Sequence, residues 1–235
     1  MDTVDRPLLL VAHGSRDEAA HTCVVSVSDA VRAALPGIDV RVGYVDVRAP
    51  TVADAVASLD GAVVVPAFLA SGYHVRTDLP VQLAECGAAP ERFPVTPALG
   101  PDPLLACATL DRLAEAGWRH GDAVVLAAAG SSDPAALAEV RVAGRLLAAE
   151  VGRKVRIGFV ATAAPRVESV VADLRAAGER RIAVASWLLA PGIFHNRLAT
   201  VGADVVAPPL GAHPDVVAAV VTRYRTAAGV PHAAA

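Results

Sequence analysis

The feature that most constrains this chain is that it repeats itself. Leu-Val-Ala-His-Gly-Ser-Arg-Asp at residues 10–17 returns as Leu-Ala-Ala-Ala-Gly-Ser-Ser-Asp at 126–133, an offset of 116. Tyr44–Pro50 faces Phe159–Pro165 at an offset of 115, Leu69–His74 faces Leu189–Phe194 at 120, and Leu99–Pro103 faces Leu210–Pro214 at 111. Offsets this steady along 235 residues indicate a tandem duplication with short loop insertions and deletions. The boundary is expected after a helix over Leu104–Ala116, in the polar stretch 117–122, which gives an N-terminal lobe of 1–117 and a C-terminal lobe of 118–235.

Each copy alternates apolar runs of strand length with helical segments. The runs are Leu8–Ala12, Val40–Val45, Ala62–Phe68 and Phe93–Thr96, then Ala123–Ala127, Val155–Val160, Ile182–Ser186 and Asp204–Val206. Helix starts in the second copy are expected near Asp133, Pro165 and Pro214. That alternation predicts βαβ units and an α/β protein with two similar lobes, each a small parallel sheet flanked by helices. A hydrophobic fraction of 54% suits strands buried on both faces.

Several function classes fall away. No apolar run approaches the roughly 18–20 residues that span a bilayer, and the start, Met-Asp-Thr-Val-Asp, is acidic where a signal peptide is basic, so a cytoplasmic location is expected. A net charge of −3 argues against nucleic acid as the main partner. Cys23, Cys86 and Cys107 contain no CxxC pair, and are expected as small apolar residues rather than as a disulfide or zinc framework. Neither GxGxxG nor GxxxxGK occurs, so no nucleotide fingerprint is present.

In open parallel sheets, ligands bind at the carboxyl edge of the strands. His13 closes the first strand, Asp46 the second, and His74 follows the third. In the second copy position 13 becomes Ala129 and position 74 becomes Phe194, so only the first copy keeps the histidine pair. Two imidazoles and a carboxylate are ordinary ligands for a first-row divalent ion. An imidazole, with a reference pKa of about 6.5, binds a metal or accepts a proton, one at a time. That suits a reaction in which an ion displaces two protons from ring nitrogens, and it needs no redox cofactor. Arg16, Arg48 and Arg76 flank these positions and are candidates for holding substrate carboxylates. Gly14-Ser15 before a helix is a candidate anion cradle. His21, placed two turns into the first helix, and His120, His195, His213 and His232 are expected at the surface.

Ala12-His13-Gly14-Ser15-Arg16, together with Phe68-Leu-Ala-Ser-Gly-Tyr-His74-Val-Arg-Thr-Asp-Leu-Pro80, resembles the sirohydrochlorin chelatases of the class II chelatase group. The similarity covers nearly the whole chain, including Leu99-Gly-Pro-Asp-Pro103, and matches the long, two-lobed form. The resemblance implies chelatase-like, flavodoxin-like lobes and insertion of Fe2+ or Co2+ into sirohydrochlorin, toward siroheme or cobalamin. It further implies metal-binding and proton-accepting roles for His13 and His74, with the metal as substrate and no prosthetic group. The family usually carries glutamate where Asp46 stands, one methylene longer. A monomer is expected, because the fused halves supply the interface that short relatives build between two chains. The alternatives are a tetrapyrrole or metal carrier without turnover, and a histidine phosphatase, which would want arginine where Ala12 stands.

Overall fold

The computed structural model describes residues 6–229; the acidic start over residues 1–5 and His232 lie outside them. In chain order the first copy forms β1 (Leu8–Ala12), α1 (Glu18–Ala34), β2 (Val40–Tyr44), α2 (Val52–Ala57), β3 (Val63–Pro66), a π-helical turn (His74–Asp78), α3 (Leu79–Glu85) and α4 (Pro103–Glu115). The second forms β4 (Ala123–Ala128), α5 (Pro134–Val151), β5 (Val155–Phe159), α6 (Val167–Ala176), β6 (Ile182–Trp187), α7 (Ile193–Leu198), β7 (Val205–Val206) and α8 (Pro214–Ala228).

The described residues pack as two compact units, 6–99 with 212–229, and 100–211. In the first, β2, β1 and β3 pair in parallel in that order, with Leu8 opposite both Val40 and Val63. Every residue of β1 is buried, as a central strand covered on both faces requires. Leu9, Val11, Val52, Leu79 and Phe93 meet in its core. In the second unit the parallel order is β5, β4, β6, β7, with a core that includes Val125, Ile182, Val184 and Leu198.

The run Phe93–Thr96 does not form the expected strand. It contributes a single bridge, Val64 to Val95, because Pro94 and Pro97 lack the N–H groups that a longer ladder needs.

Helix starts follow the capping chemistry. Asp17 caps α1 and Asp133 caps α5, each accepting from the backbone N–H two residues on. Asp102 does the same for α4, while at the equivalent start of α8 the cap is His213 Nδ1. His213 is therefore buried, not at the surface. His21 sits in the first turn of α1 rather than two turns in, half-buried, with Nδ1 2.8 Å from the Tyr44 hydroxyl.

The expected lobes follow the sequence repeat, whereas the compact units exchange their last helices. α4 packs on α5 and β6, and α8 packs on α1 and β3. Each is tied down by the same device. Arg112 of α4 donates to the Leu210 carbonyl at 2.9 Å, and Arg223 of α8 donates to the Leu99 carbonyl at 3.1 Å. Among the described residues no helix is long and apolar enough to cross a membrane.

Candidate metal centre

Because β1 lies between β2 and β3, the loops leaving the carboxyl ends of all three strands are neighbours. His13 leaves β1, and His74 opens the π turn that follows β3. Their rings meet edge to face, with centroids 4.4 Å apart and planes at 81°. His13 is exposed and His74 half-buried, with Phe68 stacked at 6.3 Å and Tyr73 edge-on at 5.8 Å.

The backbone that presents His13 is rigidly specified. Gly14 has φ +93°, and a Cβ there would lie 2.0 Å from the Asp46 carbonyl oxygen, so only glycine fits. The Asp46 N–H donates to the His13 carbonyl at 3.0 Å, and Val47 takes a left-handed φ of 48°. The second copy reproduces this turn: Gly130 at φ +101°, a virtual Cβ 2.0 Å from the Ala161 carbonyl, and Thr162 at φ 59°. What differs is the side chains, since Ala129 and Ala161 stand where the first copy has His13 and Asp46. Ser15 belongs to the shared scaffold: its Oγ accepts from the Asp17 N–H at 3.0 Å, as Ser131 accepts from Asp133 at 3.0 Å.

Hydrogen bonds fix which nitrogen of each imidazole is free. His13 Nδ1 is 2.8 Å from the Gly14 carbonyl, an acceptor only, so in the neutral ring Nδ1 carries the proton and Nε2 keeps its lone pair. His74 Nδ1 is 2.8 Å from Asp78 Oδ2. Burial works to raise the Asp78 carboxyl, but hydrogen bonds from His74 and Gln82, with the charge of the nearby imidazoles, outweigh it and hold its pKa below the ordinary carboxylate value. An ionised Asp78 can only accept, so in the neutral His74 ring the proton sits on Nδ1 and Nε2 keeps the lone pair.

Asp46 is exposed, and its Oδ1 accepts from the Val47 N–H at 2.8 Å. The ligand atoms of His13, Asp46 and His74 do not all come within 4.8 Å of one another. Arg48 Nη2 reaches both carboxylate oxygens of Glu18 at 2.8 and 2.9 Å, and Nη1 donates to the Ser15 carbonyl at 3.1 Å. Arg76 donates to the Ser71 carbonyl at 2.6 Å, and both Arg76 and Arg16 are exposed. The structure thus brings the two histidines together and commits Arg48 to Glu18. It adds two residues that the motif reading passed over, Asp78 and Gln82; the signal for the first was the His-x-x-x-Asp spacing, which places both on one helical face.

The CbiX family model matches residues 7–116 and again 123–227. The chain belongs to the CbiX family. Two relatives, the sirohydrochlorin cobaltochelatases of Methanococcoides burtonii and Methanopyrus kandleri, are 32% identical over 78 residues and 36% over 89. These matches take in 31% and 36% of this chain and 60% of each relative's length. Among solved structures, SirB from Bacillus subtilis with Fe3+ aligns over 95% of this chain and 96% of its own, with a TM-score of 0.82 at 22% identity. At that identity the likeness establishes the fold, two CbiX-type lobes in one chain.

Proposed function

We propose that the protein is a sirohydrochlorin chelatase that inserts Fe2+ or Co2+ into the macrocycle, working in the cytoplasm as a monomer. The observation that carries this is the 4.4 Å pairing of His13 with His74 at the carboxyl edge of the first sheet, in a chain of the CbiX family. With Nδ1 of each ring bonded to an acceptor, both Nε2 atoms are available to a divalent ion, which imidazole binds at about 2.0–2.1 Å. Asp46 is the third candidate ligand, short by one methylene of the residue the family usually has there.

In this scheme the ion is substrate and not a resident cofactor. Held by His13 and His74, it passes to the stronger chelator as the two pyrrole protons leave, and each imidazole released from the metal becomes a base for one proton. Arg16 and Arg76, exposed beside the site, supply positive charge for the substrate carboxylates. Arg48 reaches them only by giving up Glu18. Exposed Tyr73 and Val47 offer apolar contact to a flat ring.

The test is to mix purified protein with sirohydrochlorin and either Fe2+ or Co2+, and to follow the absorbance change against a protein-free control. Catalysed insertion is expected, with at least a 100-fold loss in His13→Ala and His74→Ala at unchanged fold, of the order expected when ligation and proton transfer are both removed. Binding of both ligands without acceleration would make the protein a carrier instead. Light scattering of the purified chain checks the monomer.

A further inference from the structure

We propose that Asp78 is a positioning residue that locks His74 into the orientation and tautomer in which Nε2 is a metal ligand, and that the π turn is the device that seats it there. This rests on the proposed metal site and names a residue outside it. The contact is direct: His74 Nδ1 to Asp78 Oδ2 is 2.8 Å, with the His74 side chain 32% and the Asp78 side chain 23% exposed. The other oxygen of Asp78 accepts from Gln82 Nε2 at 2.9 Å, and the same amide donates to the Val45 carbonyl at 2.9 Å, just past the end of β2. The carboxylate is thereby held from both sides, and its hold on the ring is referred back to the sheet. A neutral imidazole left in water places its proton on either nitrogen; beside a fixed acceptor at Nδ1 it has one choice.

The second copy provides an internal control. Leu79 and Leu198 are the buried anchors of the segments that follow the Gly72 and Gly192 turns, at 0% and 1% exposure. Leu79 lies one residue further from Gly72 than Leu198 lies from Gly192. The additional residue is absorbed by the π turn, in which the Leu79 N–H bonds to the His74 carbonyl. Single-residue insertions of this kind recur at functional positions in helices. In the second copy the segment is the α-helix Ile193–Leu198, which has neither a carboxylate nor, at the equivalent position, a histidine. The insertion, the acceptor and an imidazole at the position of His74 are present together in one copy and absent together in the other.

The experiment uses the full chain, metal-free and at a pH above the imidazole range, with long-range 1H–15N spectra reporting which nitrogen of His74 bears the proton. A Co2+ titration followed by visible absorbance accompanies it. The parent protein is expected to show His74 protonated at Nδ1. In Asp78→Asn, Gln82 retains the amide oxygen, so the new N–H group faces His74 and the proton moves to Nε2. Co2+ affinity is expected to fall about 10–100-fold in Asp78→Asn and Asp78→Leu, and to be largely restored in Asp78→Glu. Circular dichroism checks the fold; should Asp78→Leu not fold, the isosteric Asp78→Asn carries the test. Unchanged protonation and unchanged Co2+ affinity in Asp78→Asn overturn the inference. If affinity falls in His13→Ala but not in Asp78→Asn, the metal site stands and this inference alone fails. If His13→Ala and His74→Ala both bind Co2+ like the parent, the metal site itself is wrong.

Discussion

Gly14 and Gly37 have similar left-handed backbones, φ +93° and +87°, but different surroundings. A Cβ on Gly37 would meet nothing within 4 Å, so Gly37→Ala should lose about 1–2 kcal/mol, the backbone term alone. On Gly14 the same methyl would collide with the Asp46 carbonyl, so Gly14→Ala is expected to cost more than that and to displace the loop carrying His13. Urea unfolding gives the stability difference, and Co2+ titration shows whether the loop has moved. At this scale the positions of the two histidines were legible because His13 directly follows one strand, and His74 a short turn after another, whose apolar patterns are plain. For Ser15 the sequence suggested backbone N–H groups cradling an anion, and the local pattern did not announce that its hydroxyl accepts from the Asp17 N–H. The Arg48–Glu18 pair spans 30 residues, and no local pattern announces it.

Among the elements, buried central strands such as β1 declare themselves as unbroken apolar runs, while short peripheral ones do not. β7 is two residues long and is anchored from outside the ladder. The Asp204 carboxylate before it accepts from the Ile182 N–H, at the start of β6, and from Arg175 of α6. The Ile182 hydrogen bond, followed by Arg175, lowers the Asp204 pKa below its ordinary value. A depressed folded pKa contributes stability above the unfolded value, about 3.9, and that contribution is lost as the pH falls through the folded value. Thermal unfolding should therefore show stability dropping in acid below about pH 4. Asp204→Asn should be less stable at neutral pH and lose less on acidification; parallel curves for the two proteins would contradict this. The π turn was illegible in sequence for a related reason: one added residue shifts a helical register without changing its composition.

Across the whole molecule, the duplication could be read directly, but not which sheet each final helix covers. Similarity relates α8 to α4, whereas the packing surfaces that decide its place lie on β3 and α1, far away in the chain. A fragment ending at residue 117 would lack buried Val216, Ala219, Val220 and Tyr224, whose hydroxyl bonds to the Arg6 carbonyl at 2.6 Å. It should fail to unfold cooperatively on its own, and a peptide covering 212–229 should restore the transition. The fragment 100–211 keeps its own core and should melt cooperatively unaided. Calorimetry of the three samples decides between this arrangement and two self-sufficient sequence halves.

The helix exchange bears on why a copy without the histidine pair persists. With Ala129 and Phe194 in place of the pair, a shorter gene holding the first copy alone is the simpler outcome. Yet α8, which packs on β3 of the first sheet, lies beyond every strand of the second copy in the chain, so a deletion that removed that copy would unroof the sheet that carries His13 and His74.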